Sequence, residues 1–128
     1  MIKLITEPAH VIDIMATCVD LSGATYLKTF KGHEIIPMEG SSLRPLFEGK
    51  SLKRNDGLFF EHFGNRGVRK GRWKLMATRE GNSELYDMVS DRTELNDLAS
   101  KMPEKVKELS RFYNNWTERC FVQKLNEK

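Results

Sequence analysis

Cysteine is scarce. The 128 residues hold two, Cys18 and Cys120, too few for a disulfide framework or a zinc site. Each has apolar neighbours, which points to buried free thiols. Long hydrophobic runs are missing as well. No apolar segment approaches the ~20 residues that a membrane-crossing helix needs. The opening MIKLITEPAHVIDIM is interrupted by Pro8, His10 and Asp13, unlike a signal peptide. Nor does one sign of charge dominate. Lys and Arg number 21 against 18 Asp and Glu, a net charge of +3, with acids spread among the bases. Dedicated nucleic-acid binders show a stronger and more clustered imbalance, so no nucleic-acid partner is expected. Repeats and low-complexity segments are absent too. What remains is a folded, water-facing chain: 39% hydrophobic and 30% charged residues, at a length that suits one core.

Along the chain, Val11, Ile14, Met15, Cys18, Val19 and Leu21 recur at helical spacing. Pro8 suits a first helical turn and Gly23 the left-handed position past the end, so a helix is expected over residues 8–22. His10 and Asp13, three apart, have the spacing to share a metal ion. A plainer reading puts both at the polar edge of the helix start, where Asp13 favours the helix dipole. Residues 24–56 hold no long period and read as an anchored loop, with one helical turn near residues 43–47. His33 lies in it without a partner at any useful spacing and is given no role.

Four short segments follow: GLFFEHF, RGVRK, RWKLMATR and SELYDMV. Each is aromatic or β-branched in part and bounded by turn residues, with Lys70-Gly71 and Gly81-Asn82 as turns. Asp91-x-x-Glu94 resembles a capping box opening a short helical turn. Pro103 then starts a long helix with Val106, Leu109, Tyr113, Trp116 and Cys120 on one stripe. The expected fold class is α+β: a four-stranded antiparallel sheet packed by a long C-terminal helix, preceded by one helix and a long loop. Trp73, Tyr86 and Trp116 are expected in the core between sheet and helix.

The stretch GNRGVRKGRWKL packs five cations and a tryptophan into twelve residues. On a hairpin, Val68, Trp73 and Leu75 become its apolar payload. Arg69, Lys70 and Arg72 then gather at the turn, where solvated charge is ordinary. A phosphate-binding patch would need aromatics interleaved with the cations on one face. Glu61 and His62 cannot form an acid–base pair, because neighbouring strand residues point to opposite faces.

Four motifs stand in register: HVIDIMATCVDLSGATYL, PMEGSSLRPLFEG, LFFEHFGNRGVRKGRWKL and ELYDMVSDRTELNDLA. In order and spacing they resemble the C-terminal region of arylsulfatase-type sulfatases, within the alkaline-phosphatase-like superfamily, over roughly residues 9–116. The resemblance implies that residues 1–56 are the last helix and connecting loop of the catalytic domain. Residues 57–128 would form the C-terminal subdomain. It further implies a sulfuric ester hydrolase whose catalytic domain lies N-terminal to this chain and carries calcium and a formylglycine. That aldehyde is made from the cysteine of a Cys-x-(Pro/Ala)-Ser-Arg motif.

Neither residue set is present here. Cys18 precedes Val-Asp-Leu-Ser and Cys120 precedes Phe-Val-Gln-Lys, so no catalytic residue, metal ligand or cofactor is expected in the chain itself. By resemblance, His62, Asn65 and Arg66 are substrate-rim candidates. The implied partners are the chain's own N-terminal catalytic domain and a sulfated small molecule or sugar. Self-association of the chain alone is also expected. A periplasmic, secreted or lysosomal location is implied for the full protein. Two alternatives stay open: an independent module binding an anionic polymer, and the same subdomain in a phosphonate hydrolase.

Overall fold

The computed structural model describes residues 4–54 and 57–122. The chain divides into two compact units, Met1–Asn55 and Asp56–Lys128. The boundary expected between residues 56 and 57 touches Asp56, which lies outside the described residues.

In the first unit, helix α1 spans Ile12–Ser22 and ends at Gly23 in the left-handed conformation, φ +67°. Its start is four residues later than Pro8 suggested. The Asp13 carboxylate accepts the His10 backbone N–H at 2.8 Å, and the His10 ring accepts that of Ile12 at 3.3 Å. These bonds hold the segment before Ile12 as a capping loop. The loop that follows is more structured than expected. Strands β1 (Thr29–Phe30) and β2 (His33–Glu34) pair antiparallel, and α2 spans Arg44–Phe47 with Pro45 in its first turn.

The buried face of α1 is its polar one: Asp13, Ala16 and Thr17. Val11, Ile14, Met15 and Leu21 are each more than half exposed. Cys18 is exposed with them, against the expected burial, because the apolar stripe that carries it faces outward. Asp13 is 0% exposed, so it is not at a polar edge either. It accepts Ser41 N–H at 2.8 Å and an Arg54 N–H at 2.5 Å besides that of His10. Thr17 Oγ1 donates to the Asp13 carbonyl and accepts Leu43 N–H at 2.9 Å. Gly40 lets the loop approach this closely: at φ +92°, a Cβ there would stand 2.5 Å from the Ile12 carbonyl oxygen. The loop is therefore pinned to the helix through polar groups.

The second unit has the expected α+β architecture. Strands β3 (Leu58–His62), β4 (Asn65–Lys70), β5 (Trp73–Ala77) and β6 (Ser83–Asp87) form an antiparallel sheet in that order, and α3 spans Pro103–Arg119. Phe63 and Gly64, both at positive φ, close the first hairpin, the geometry that matches strand twist. Gly71 and Arg72 close the second, one residue later than expected, since Lys70 pairs with Trp73.

The core lies between sheet and helix. Val68, Leu75, Leu85 and Leu109 are almost wholly buried there, with Phe59, Trp73, Val106 and Phe112 packed around them. Burying each such aliphatic side chain stabilises the fold by about 1.5–3 kcal/mol. Phe59 stacks on Trp116 with ring centroids 5.0 Å apart. Tyr86 departs from the expected set. It neighbours Leu85 on β6 and so points to the opposite face of the sheet, buried and hydrogen-bonded to Glu84.

Two further expectations are corrected. Asp91 and Glu94 open no helix. Asp91 accepts the Asn96 N–H, while Glu94 sits at φ +59° and binds Lys74. A carboxylate that satisfies local N–H groups competes with helix formation. Cys120 is the C-cap of α3 and is exposed rather than buried, so the buried stripe stops at Trp116.

Candidate substrate rim and a cavity beside the helix

The β3–β4 tip gathers the three rim candidates within five residues of chain. His62 pairs with Asn65, and Glu61 with Arg66. Alternation then puts His62 and Asn65 on one face of the sheet and Glu61 and Arg66 on the other, the face that carries α3. The three therefore do not converge on one point. His62 is exposed, its ring edge-on to Phe63 at 4.6 Å, and Phe63 is 68% exposed. Asn65 works as a brace. Its amide donates to the His62 carbonyl at 3.1 Å, and its oxygen accepts Arg79 N–H at 3.3 Å. Glu61 accepts Gly64 N–H at 2.9 Å, so both side chains fix the turn that presents His62 and Phe63.

Arg66 belongs to a row that crosses the sheet: Glu61, Arg66, Ala77, Ser83. The next row inward is Phe59, Val68, Leu75, Leu85, all large. Where the outer row falls to Ala and Ser, α3 cannot close against the sheet. A cavity of about 50 Å³ remains, lined by Arg66, Ala77, Ser83, Ser110, Tyr113 and Asn114 among others. The Arg66 Nε is buried without a hydrogen-bond partner. Burial, joined by the nearby Glu61 charge, pushes the Tyr113 phenol above its ordinary pKa, and Arg66 opposes this. Tyr113 therefore stays a neutral donor at physiological pH.

Three of the hairpin cations, Lys70, Arg72 and Lys74, have structural employment. Arg72 grips Asp87 through two N–H groups. That contact, against the opposing effect of burial, holds the Asp87 carboxyl well below the usual carboxylate range. Lys70 Nζ lies 3.9 Å from the Phe112 ring centroid, a cation–π contact. Lys74 reaches both oxygens of Glu94, at 2.7 and 2.8 Å.

Asp13, the best-placed acid, is committed to Arg54 and two backbone N–H groups. Among the described residues, no three His, Cys, Asp or Glu side chains gather as metal ligands. No described helix is long and apolar enough to cross a membrane. Sequence reasoning missed the Asp13–Arg54 pair and the Arg66 cavity. An acid inside the apolar run HVIDIMA was a usable signal for the first. The second depends on tertiary register, and no local pattern announces it.

No protein-family model matches the chain. It is 32% identical over 114 residues to an uncharacterized sulfatase of Schizosaccharomyces pombe, covering 84% of this chain and 21% of that protein. It is 27% identical over 108 residues to arylsulfatase K of Canis lupus familiaris, covering 78% of this chain and 20% of the relative. The chain thus spans about a fifth of the length of these curated relatives. A solved protein in complex with its substrate D-glucosamine-2-N,6-O-disulfate shares the fold. The TM-score is 0.59 at 20% identity, over 83% of this chain and 23% of that one.

Proposed function

The chain carries the sequence and fold of the C-terminal region of arylsulfatase-type sulfatases, and from this we propose that its parent protein hydrolyses sulfate esters. The carrying observation is the 32% identity to a sulfatase over most of the chain. In this reading the nucleophile and metal ligands lie outside the chain, which braces the catalytic domain and shapes the substrate entrance. The solved relative's disulfated glucosamine substrate supports a sulfated sugar as the substrate class. A periplasmic, secreted or lysosomal site of action belongs to the same reading. The anionic-polymer alternative is weakened at the hairpin, where Lys70, Arg72 and Lys74 already have intramolecular partners.

Bracing rests on α1. A helix that buries Asp13, Ala16 and Thr17 while exposing Val11, Ile14, Met15 and Leu21 presents an apolar face suited to a partner surface. We assign that partner as the catalytic domain, with residues 1–56 as its last helix and connecting loop and residues 57–128 as the C-terminal subdomain. Without it, the 128-residue chain is expected to self-associate in light scattering as concentration rises. A monomer at high concentration that binds no apolar dye would contradict the assignment.

Entrance shaping rests on the β3–β4 tip, with His62 presented to substrate, Asn65 holding the turn and Arg66 on the helix side. The test uses the full-length enzyme and two substrates, a sulfated sugar and a small chromogenic sulfate ester. His62→Ala should lower kcat/KM for the sugar by about 1–3 kcal/mol, the scale of a hydrogen bond to a charged group. The small ester should be largely spared, since it does not reach the rim. Arg66→Ala is read the same way. Equal losses on both substrates with a lowered Tm would make either residue a brace and end its rim role.

A further inference from the structure

A second arginine stands beside the β3–β4 tip, on the turn between β5 and β6. Arg66 pairs with Ala77, so the same register continued outward sets Arg79 against Gly64. Gly64, at φ +85°, leaves the room this needs: a Cβ there would stand 3.0, 3.4 and 3.5 Å from Cγ, Cβ and Cδ of Arg79. The stem of Arg79 therefore lies packed across the hairpin turn, and its backbone N–H donates to the Asn65 oxygen at 3.3 Å. Its own turn is closed by Thr78 N–H to the Asn82 carbonyl and by Gly81 N–H to that of Thr78, each at 3.0 Å. Arg79 is exposed, and among the described residues no ion pair includes its guanidinium. Of the acids close to it in the fold, Glu61 is turned to Gly64 N–H. Glu80, next in the turn, is exposed; its charge lowers the affinity for an anion without occupying the guanidinium.

A guanidinium held by its stem, with its fork unpaired, is prepared for a bidentate contact with a carboxylate or sulfate, because less side-chain freedom is lost on binding. The hairpin it braces presents His62 and Phe63, the latter 68% exposed at φ +50°, a conformation that a bulky residue adopts only at a cost. We propose that Arg79 is the specificity-determining cation of the rim. It pairs with an anionic group, a carboxylate or a second sulfate, on the sugar next to the one whose sulfate ester is cleaved. The inference rests on the sulfatase reading and adds to it both a residue and a feature of the substrate. Arg79 does not touch the reacting atoms, so it selects among sulfated sugars and leaves the chemical step alone.

The test uses the full-length enzyme and sulfated disaccharides whose neighbouring sugar carries a carboxylate, a second sulfate, or hydroxyls alone. Arg79→Gln keeps stem methylenes over Gly64 and removes the charge. It should lower kcat/KM for the charged disaccharides about tenfold or more, through KM, the scale of a lost hydrogen bond to a charged group. The neutral disaccharide, a small chromogenic sulfate ester and the Tm should stay at wild-type values, and Arg79→Lys should recover part of the loss. A loss confined to the carboxylate-bearing disaccharide identifies a uronic acid as the neighbour, and one confined to the second sulfate identifies a sulfated sugar. Wild-type selectivity retained in Arg79→Gln, or an equal loss on every substrate, would overturn the proposal. The chromogenic ester separates this from the sulfatase reading itself. If the wild-type enzyme releases no sulfate from it, that reading fails, and the affinities of the same disaccharides by ligand-observed NMR decide the role of Arg79. Weaker binding of the charged ones alone in Arg79→Gln supports it, and unchanged affinity overturns it.

Discussion

Asp13→Ala is expected to destabilise the first unit by about 3–5 kcal/mol, the cost of leaving a buried charge without its partner. Asp13 is 0% exposed and the Arg54 side chain 13%, so solvent cannot take over the lost interactions. The substitution strands the Arg54 guanidinium and the backbone N–H groups of His10 and Ser41 together. A unit of this length has a total stability of roughly 3–8 kcal/mol, so the loss removes a large part of it. Amide hydrogen exchange in Ile12–Ser22 is the suitable readout, because both tryptophans, Trp73 and Trp116, lie in the other unit. A change below about 1 kcal/mol would show that the pair does not hold the loop.

The same carboxylate predicts a pH dependence. Burial raises the Asp13 pKa, but hydrogen bonds from Ser41 N–H, Arg54 and His10 N–H outweigh it and hold the carboxyl below its ordinary value of 3.8. In the unfolded chain that restraint is gone, so on acidification the unfolded state takes up the proton first. The contribution is fully present above the ordinary value and is lost as pH falls below it, through the depressed folded-state value. Exchange protection of α1 should fall in that acid window and stay flat from there towards neutrality. Protection that instead rose on acidification would reverse the sign of the argument.

The contrast between the two units explains what the sequence could disclose. In the second unit the signals were local and agreed. Aromatic strands were bounded by Gly64, Gly71 and Gly81, all at positive φ, and a helix opened by Pro103 carried a stripe through Leu109 and Tyr113. Sheet, order and helix were therefore readable; the misses were a one-residue shift at the second hairpin, a helix expected at Asp91 that does not form, and a buried stripe carried too far, to Cys120. Tyr86 was misplaced because composition favours burial without saying which face is buried. In the first unit the usual rule inverts. The apolar stripe of α1 faces outward and Asp13 faces in, so periodicity found the helix, while the burial expected for Cys18 and the polar edge expected for Asp13 did not follow from it. The partner of Asp13 stands 41 residues away, beyond any spacing rule. The rim candidates were legible as a cluster in sequence, but their division between two faces needed the observed pairing.

The second large effect is on catalysis. The purified 128-residue chain is expected to release no sulfate from an aryl sulfate above a buffer blank, with calcium added, while the full-length enzyme turns it over. Enzymatic accelerations of about 10⁶-fold or more require an organised nucleophile and charge stabilisation in one site. Cys18 and Cys120 lie outside any Cys-x-(Pro/Ala)-Ser-Arg sequence, and Asp13 is already neutralised by Arg54. Turnover by the chain alone, abolished by Cys18→Ala or Cys120→Ala, would mean that the chain carries a nucleophile of its own.

The functional reading depends on whether the chain is one part of a sulfatase. Reading the coding sequence upstream of Met1 decides it. A continuous frame with a Cys-x-(Pro/Ala)-Ser-Arg motif some hundreds of residues earlier is expected, supplying the four-fifths of the relatives' length that this chain does not cover. An in-frame stop codon followed by a ribosome-binding site directly before Met1 would contradict it, and would make the chain an independent protein with a sulfatase-like fold.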